Sequence, residues 1–180
     1  MNFIETEIKG LWIIEPKVFA DARGYFMETY RQEEFDQHIG KTVFIQDNES
    51  KSSFGVLRGL HYQAGETAQA KLVRVIEGSV LDVAVDIRQH SPTFGQYKMV
   101  ELTAENKKQF FIPRGFAHGF LVLSERAIFT YKVDNAYSPS TERTLNCMDP
   151  DLNIDWRLNP AQLILSDKDK LGVSLLSLRA

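Results

Sequence analysis

Side chains able to move protons near neutral pH are few: four histidines and one cysteine in 180 residues. Imidazole is the natural general base there, because its unperturbed pKa of about 6.5 leaves it mostly neutral at pH 7. His38 falls in a segment with helical spacing and His90 beside a turn, which suits exposed structural residues. His61 and His118 stand instead in aromatic and β-branched runs. In Arg58-Gly59-Leu60-His61-Tyr62-Gln63, strand alternation puts His61 and Gln63 on one face and Leu60 and Tyr62 on the other. Beyond the loop 64–70, Lys71, Val73 and Val75 share a face, so Lys71 comes close to His61 if the two strands pair inside a barrel. The plainer alternative is a satisfied core histidine and a surface lysine. Tyr131 alternates with Phe129 and Val133, and either points inward as a proton donor or packs.

These residues need strands to hold them, and the chain reads mainly as strands. Leu11–Pro16, Gly24–Tyr30, Thr42–Asp47, Val56–Tyr62, Lys71–Glu77, Ser79–Arg88, Gln96–Leu102, Lys108–Pro113, His118–Leu123 and Ala127–Asn135 are rich in Val, Ile, Phe and Tyr. Glu77-Gly78 and Ser91-Pro92-Thr93-Phe94-Gly95 are turn signals between them. Arg31–Ile39, closed by Gly40, suits one short helix, and Ser166 three residues before Asp169 suits the start of another. Many short strands with a few short helices predict an all-β sandwich or jelly-roll barrel. With no internal repeat, linker or low-complexity segment, residues 1–180 read as one domain.

Composition limits the partners. A 43% hydrophobic content supports a packed core, and a net charge of −3 argues against a general nucleic-acid binder. The cations that matter are single ones, Arg23, Arg58, Lys71, Arg74 and Arg114, each able to grip a small anion. The lone Cys147 permits no intrachain disulfide and no CxxC pair. No run approaches the ~20 apolar residues of a membrane span, and MNFIETEIKG lacks the pattern of a signal peptide. A cytoplasmic protein is the expectation.

Pro113-Arg114-Gly115-Phe116-Ala117-His118 resembles the second cupin motif, where a PxG turn leads to an inward histidine. The first cupin motif matches only in part. A metal-binding cupin has an HxH pair and a downstream Glu, whereas this chain has His61-Tyr62-Gln63 and no Glu between Gln69 and Ile76. A neutral amide is a poor replacement for imidazole on a transition metal, so the expectation is a site without metal.

Over nearly its whole length the chain resembles the dTDP-4-dehydrorhamnose 3,5-epimerase family. The shared stretches run from Glu15-Pro16-Lys17-Val18-Phe19 and Asp21-Ala22-Arg23-Gly24-Tyr25-Phe26-Met27-Glu28 through Gln46-Asp47-Asn48 and Val56-Leu57-Arg58-Gly59-Leu60-His61. They continue with Lys71-Leu72-Val73-Arg74, Val83-Ala84-Val85-Asp86-Ile87-Arg88, Ser91-Pro92-Thr93-Phe94-Gly95 and Ile112-Pro113-Arg114-Gly115-Phe116-Ala117-His118-Gly119-Phe120. Tyr131-Lys132, Tyr137-Ser138-Pro139 and Ser166-Asp167-Lys168-Asp169 complete the series.

The resemblance implies a cupin jelly-roll homodimer with neither metal nor organic cofactor, acting on a dTDP-linked 4-keto-6-deoxy sugar. By position it makes His61 the base, Asp169 its dyad partner, Tyr131 the proton donor and Lys71 the stabiliser of the enolate. It makes Gln46, Asn48, Arg58, His118, Glu142 and Lys168 substrate contacts, and Arg23, Phe26 and Glu28 residues lent to the neighbouring subunit's site. From spacing alone Asp169 is an ordinary acid in the first turn of a helix capped by Ser166, and Glu142 a solvated turn acid. Arg58 and Arg23 would clamp the diphosphate, and Phe26 or Tyr137 would cover the base or the sugar. In a dimer the apolar run Leu11-Trp12-Ile13-Ile14 would gain a partner for an otherwise exposed edge. The alternatives are a related epimerase acting at one carbon and a non-catalytic sugar-binding cupin.

Overall fold

The computed structural model describes residues 1–179 as two antiparallel sheets folded face to face. In chain order the elements are β1 (Asn2–Glu5), β2 (Trp12–Glu15), β3 (Val18–Asp21), β4 (Gly24–Met27), α1 (Gln32–His38), β5 (Gln46–Ser53), β6 (Leu57–Gln63), β7 (Lys71–Glu77) and β8 (Ser79–Asp86). They continue with β9 (Tyr97–Thr103), β10 (Gln109–Ile112), β11 (Phe116–Val122), β12 (Arg126–Val133), β13 (Glu142–Thr144) and α2 (Asp167–Lys170). One sheet has the order β1-β2-β10-β7-β12-β5 and the other β13-β6-β11-β8-β9, while β3 and β4 form a separate hairpin. This is the expected all-β cupin-type jelly roll, with few and short helices. Among the described residues no helix is long and apolar enough to cross a membrane.

Strand β8 shows how the sequence builds the layers. Val80 and Ala84 point between the sheets and join Val73, Val75, Phe110, Phe120 and Phe129 in the central core. Leu81, Val83 and Val85 point outward, yet are buried too, because the tail lays Leu145, Cys147, Leu152, Trp156 and Leu175 over them. From Val80 to Val85 every residue but Asp82 is apolar, which marks a strand covered on both faces. On the far side, Phe35 of α1 seats against Ile14, Leu72 and Phe111 of the six-stranded sheet. Burial of each such large side chain contributes roughly 1.5–3 kcal/mol.

Three sequence expectations change. Strands β6 and β7 do not pair: β6 lies between β11 and β13, and β7 lies in the opposite sheet between β10 and β12. Gly78 (φ +79°) carries the chain from β7 to β8 and hence from one sheet to the other, and a Cβ there would drive into the Arg126 carbonyl and the Ser124 hydroxyl. Second, the run around Leu11–Ile14 is no free edge, because β1 pairs along β2 with Phe3 opposite Ile14 and Ile4 opposite Ile13. Third, the strand expected at Thr42–Asp47 is displaced to Gln46–Ser53, since Gln46 is where pairing with β12 begins.

Candidate active site

Inward side chains from both sheets enclose a cavity of about 160 Å³ lined by Ser50, Arg58, His61, Lys71, His118 and Tyr131, with Phe120 and Phe129 among its apolar walls. The two phenyl rings stack with centroids 4.1 Å apart. Lys71 thus meets His61 across the barrel, not along a shared ladder. His61 lies directly opposite His118 in the β6–β11 register. Beyond them the register slips by one, so that Arg58 opposes Phe120 and both Gly59 and Leu60 face Gly119. This bulge turns Arg58 and His61 inward together, although simple alternation puts residues three apart on opposite faces. Gly59 (φ +132°) permits it: a Cβ there would sit 2.5 Å from Gly119 Cα and 2.9 Å from the His118 carbonyl oxygen.

Asp169 arrives from the tail. Its Oδ1 lies 2.5 Å from His61 Nε2, and its Oδ2 accepts a 2.7 Å hydrogen bond from the Ser166 hydroxyl. The same hydroxyl accepts from the Asp169 amide at 3.2 Å, capping α2. Capping and contact with His61 are therefore compatible in Asp169: its backbone amide is capped while its carboxylate reaches His61. Burial pushes the Asp169 pKa up, but the hydrogen bonds from His61 and Ser166 outweigh it and hold the carboxyl below its usual range. An ionised carboxylate only accepts, so the proton of this bond sits on Nε2, and in a neutral ring the lone pair is then on Nδ1.

A second pair lies deeper. His118 Nε2 lies 3.0 Å from each carboxylate oxygen of Asp82, which is 0% exposed. Burial pushes the His118 pKa down against the pull of Asp82, with Lys71 and His61 adding to the lowering. Asp82 went unread in the sequence, although an acid in phase with Val80 and Ala84 was its signal.

The Lys71 ammonium makes no ion pair or hydrogen bond among the described residues, and the side chain is half-buried where it lines the cavity. Burial lowers its pKa to about 8, against the raising influence of Asp82 and Glu142, with Lys168 adding to the fall. Tyr131 opposes Asn48 and leaves its hydroxyl free of bonds among the described residues. Burial raises the Tyr131 pKa, so it stays a phenol, a donor near neutrality.

At the rim, Glu142 accepts a 2.8 Å bond from Tyr137 and pairs with Lys168. Glu142 is thus part of a short strand and an ion pair, not a solvated turn acid. Gln46 donates to Asn48 at 2.8 Å, and Arg58 Nε donates to Ser52 at 3.0 Å. Gln63 does not line this cavity. Its amide donates to the Thr67 and Ala136 carbonyls and accepts from the Ser138 amide, binding two loops together.

Arg23, Phe26 and Glu28 do not line this cavity. Arg23 is bound to Asp21 at the tip of the β3–β4 hairpin, Phe26 is 70% exposed, and Glu28 pairs with Arg31 at 2.7 Å.

The family model for dTDP-4-dehydrorhamnose 3,5-epimerase matches residues 5–176. An enzyme of that description from Shigella flexneri is 56% identical over 174 residues, which cover 96% of this chain and 94% of the relative. A crystal structure of the epimerase from Elizabethkingia anophelis NUHP1 superimposes with a TM-score of 0.96 at 52% identity, covering 100% of this chain and 99% of that one. The structure from Legionella pneumophila, in complex with dTDP-4-keto-L-rhamnose, gives a TM-score of 0.94 at 50% identity, covering 99% and 94%.

Proposed function

Because the chain belongs to the dTDP-4-dehydrorhamnose 3,5-epimerase family, we propose that His61, Lys71, Tyr131 and Asp169 carry out its proton transfers. The enzyme is an isomerase that converts dTDP-4-dehydro-6-deoxy-D-glucose to dTDP-4-dehydro-L-rhamnose. The observation that carries the residue roles is the His61–Asp169 bond at the wall of a cavity that also holds a free ammonium and a free phenol.

The C4 ketone acidifies the hydrogens at C3 and C5, because the electron pair left by either proton delocalises onto the ketone oxygen. His61 Nδ1 takes the proton from carbon, and Asp169 stabilises the resulting imidazolium as it does in hydrolytic dyads. The Lys71 ammonium meets the negative charge growing on the C4 oxygen; a preorganised donor of this kind typically contributes about 3–4 kcal/mol. Tyr131 returns a proton to the opposite face of the carbon, which inverts it. Arg58, with its guanidinium head free beyond the Ser52 bond, suits the diphosphate. His118, Gln46, Asn48, Glu142 and Lys168 complete the substrate contacts in this reading.

Arg23, Phe26 and Glu28 fit a homodimer with shared sites. A hairpin that is almost wholly exposed and carries Phe19, Tyr25 and Phe26 on its surface is supported by a second copy, and a C2 axis completes both sites at once. Residues 1–180 act as one domain in this reading, since both outer cores rest on the same barrel. A charged nucleotide sugar does not cross a bilayer unaided, so in this reading the enzyme works in the compartment where its substrate is made, the cytoplasm.

The test is incubation with dTDP-4-keto-6-deoxyglucose in deuterated water. Deuterium at both C3 and C5, with the L-rhamno product, is expected; label at one carbon only would move the enzyme to the single-carbon epimerases. Mixing inactive Arg23→Ala with inactive His61→Ala subunits, once exchange is shown with a tagged pair, should restore part of the activity. Exchange without recovery would rule out shared sites.

A further inference from the structure

In His61-Tyr62-Gln63 the amide that stands in place of a metal-binding histidine binds backbone instead. The Gln63 side chain is 6% exposed. Its Nε2 donates to the Thr67 carbonyl at 2.6 Å and to the Ala136 carbonyl at 3.1 Å, and its Oε1 accepts from the Ser138 amide at 2.7 Å. The Ala136 carbonyl and the Ser138 amide belong to the two peptide groups that enter and leave Tyr137. One buried side-chain amide therefore holds the backbone of that tyrosine on both sides, and leaving such an amide unpaired would be destabilising. The loops that Gln63 joins have other contacts of their own, since Thr67 bonds Thr141 and Gln69 bonds the Asn135 carbonyl.

The far end of Tyr137 is tied as well. Its hydroxyl donates to Glu142 at 2.8 Å, and Glu142 lies directly opposite Gln63 in the β6–β13 register. A single cross-strand pair thus holds Tyr137 by its backbone and by its tip. Glu142 also pairs with Lys168, and its charge acts upward on the pKa of both Lys71 and Tyr131, so this acid faces the proton-transfer groups. Tyr137 itself is 54% exposed, so packing does little to fix its ring and the bonds at its two ends must. We propose that Gln63 is a positioning residue. Through the two peptide groups it sets the Tyr137 ring at the cavity mouth, where the ring closes over the nucleotide sugar of the function proposed above.

The test is a double-mutant cycle of Gln63→Met, which keeps the length of the side chain and removes its amide, with Tyr137→Ala. Each protein is measured for dTDP-glucose binding by calorimetry, for kcat and KM on dTDP-4-keto-6-deoxyglucose, and for thermal unfolding. Gln63→Met alone should raise the dTDP-glucose Kd and the KM about tenfold, the size of one lost aromatic contact. Its kcat should stay within about twofold of wild type, because the contact serves binding and not the proton transfers. With Tyr137 already truncated, the same substitution should leave Kd and KM unchanged while still lowering Tm. An equal loss of binding in both backgrounds, or a lower Tm with binding unchanged, would overturn the proposal. Should Gln63→Met fail to fold, Gln63→Glu runs the same cycle, since it keeps the acceptor for Ser138 and loses the donors to Thr67 and Ala136. The binding arm needs no turnover: a wild type inactive on the ketosugar would sink the assigned reaction, while the Kd cycle still decides for or against Gln63.

Discussion

The two histidine–aspartate pairs stand opposite each other on neighbouring strands, yet they are built differently. His118 and Asp82 sit on adjacent strands of one sheet, with both carboxylate oxygens at 3.0 Å from the same nitrogen and both residues buried. His61 takes its aspartate from a tail 108 residues further along, through one 2.5 Å contact, and the second oxygen is held by Ser166. A pair fixed within a sheet suits a ring that must stay put and neutral. A pair closed by a separate segment leaves His61 open to the cavity and gives its charged form a dedicated partner. The tail is anchored where it crosses the barrel, by Trp156 Nε1 on the Cys147 carbonyl and by the Leu175 amide on Asp149.

Variants test this contrast directly. His61→Ala should lower turnover about 10³- to 10⁴-fold with the fold intact; a folded variant at wild-type rate would end its assignment as base. Asp169→Asn should lower kcat by about 10²-fold with little change in KM, because the carboxylate acts when the imidazole becomes charged. The same change at Asp82 should act chiefly on stability, costing about 1–2 kcal/mol in chemical denaturation because it weakens a buried hydrogen bond from the neutral His118 ring. Were Asp82→Asn to remove turnover while Asp169→Asn removed only stability, the two pairs would have to exchange roles.

Much of this site could be read from the sequence, for reasons tied to particular residues. Lys71 begins a strand in alternation, and its inward phase was correct; its neighbour was not, because period-2 patterning carries no information on which sheet a strand joins. Arg58 illustrates a different limit. Its inward aim depends on an extra residue at Gly59-Leu60, and a bulge is visible only through the pairing it interrupts. Strand β5 was misplaced because Thr42–Ile45 has the β-branched, apolar look of a strand, whereas Gln46–Ser53 is polar on both faces. That polarity reflects a strand whose inner face borders the cavity and whose outer face meets solvent. Asp169 was ambiguous since the residue that caps best three positions after Ser166 is also the one that pairs with a histidine far away in sequence.

Lys71 gives the comparison a pH axis. As an enolate stabiliser it must be protonated, and its pKa of about 8 is set by burial against Asp82 and Glu142, with Lys168 opposing them. Activity should fall about tenfold per pH unit above pH 8. Stability should move the other way. The unfolded chain keeps this proton to about pH 10.4 and the folded one to about 8, so between those values the unfolded state binds more protons and the folded state gains as pH rises. A Lys71→Met variant should lack both trends, measured as the alkaline limb of kcat and the pH dependence of urea midpoints.

The smallest effect expected is at Ser166. Its hydroxyl donates to Asp169 Oδ2 and accepts from the Asp169 amide, so Ser166→Ala removes one bond from the carboxylate and one from the helix end. Losing a cap costs about 1 kcal/mol, and that alone would show only as lower stability. A positioning role leaves a second mark. The Asp169 pKa is raised by burial and held down by His61 and Ser166, so removing one donor raises it. The acid limb of kcat should then move to higher pH, with about a fivefold loss at neutrality, and Ser166→Thr, which keeps the hydroxyl, should restore both. A pH profile identical to wild type with only a lower Tm would reduce Ser166 to a helix cap and leave Asp169 positioned by the tail alone.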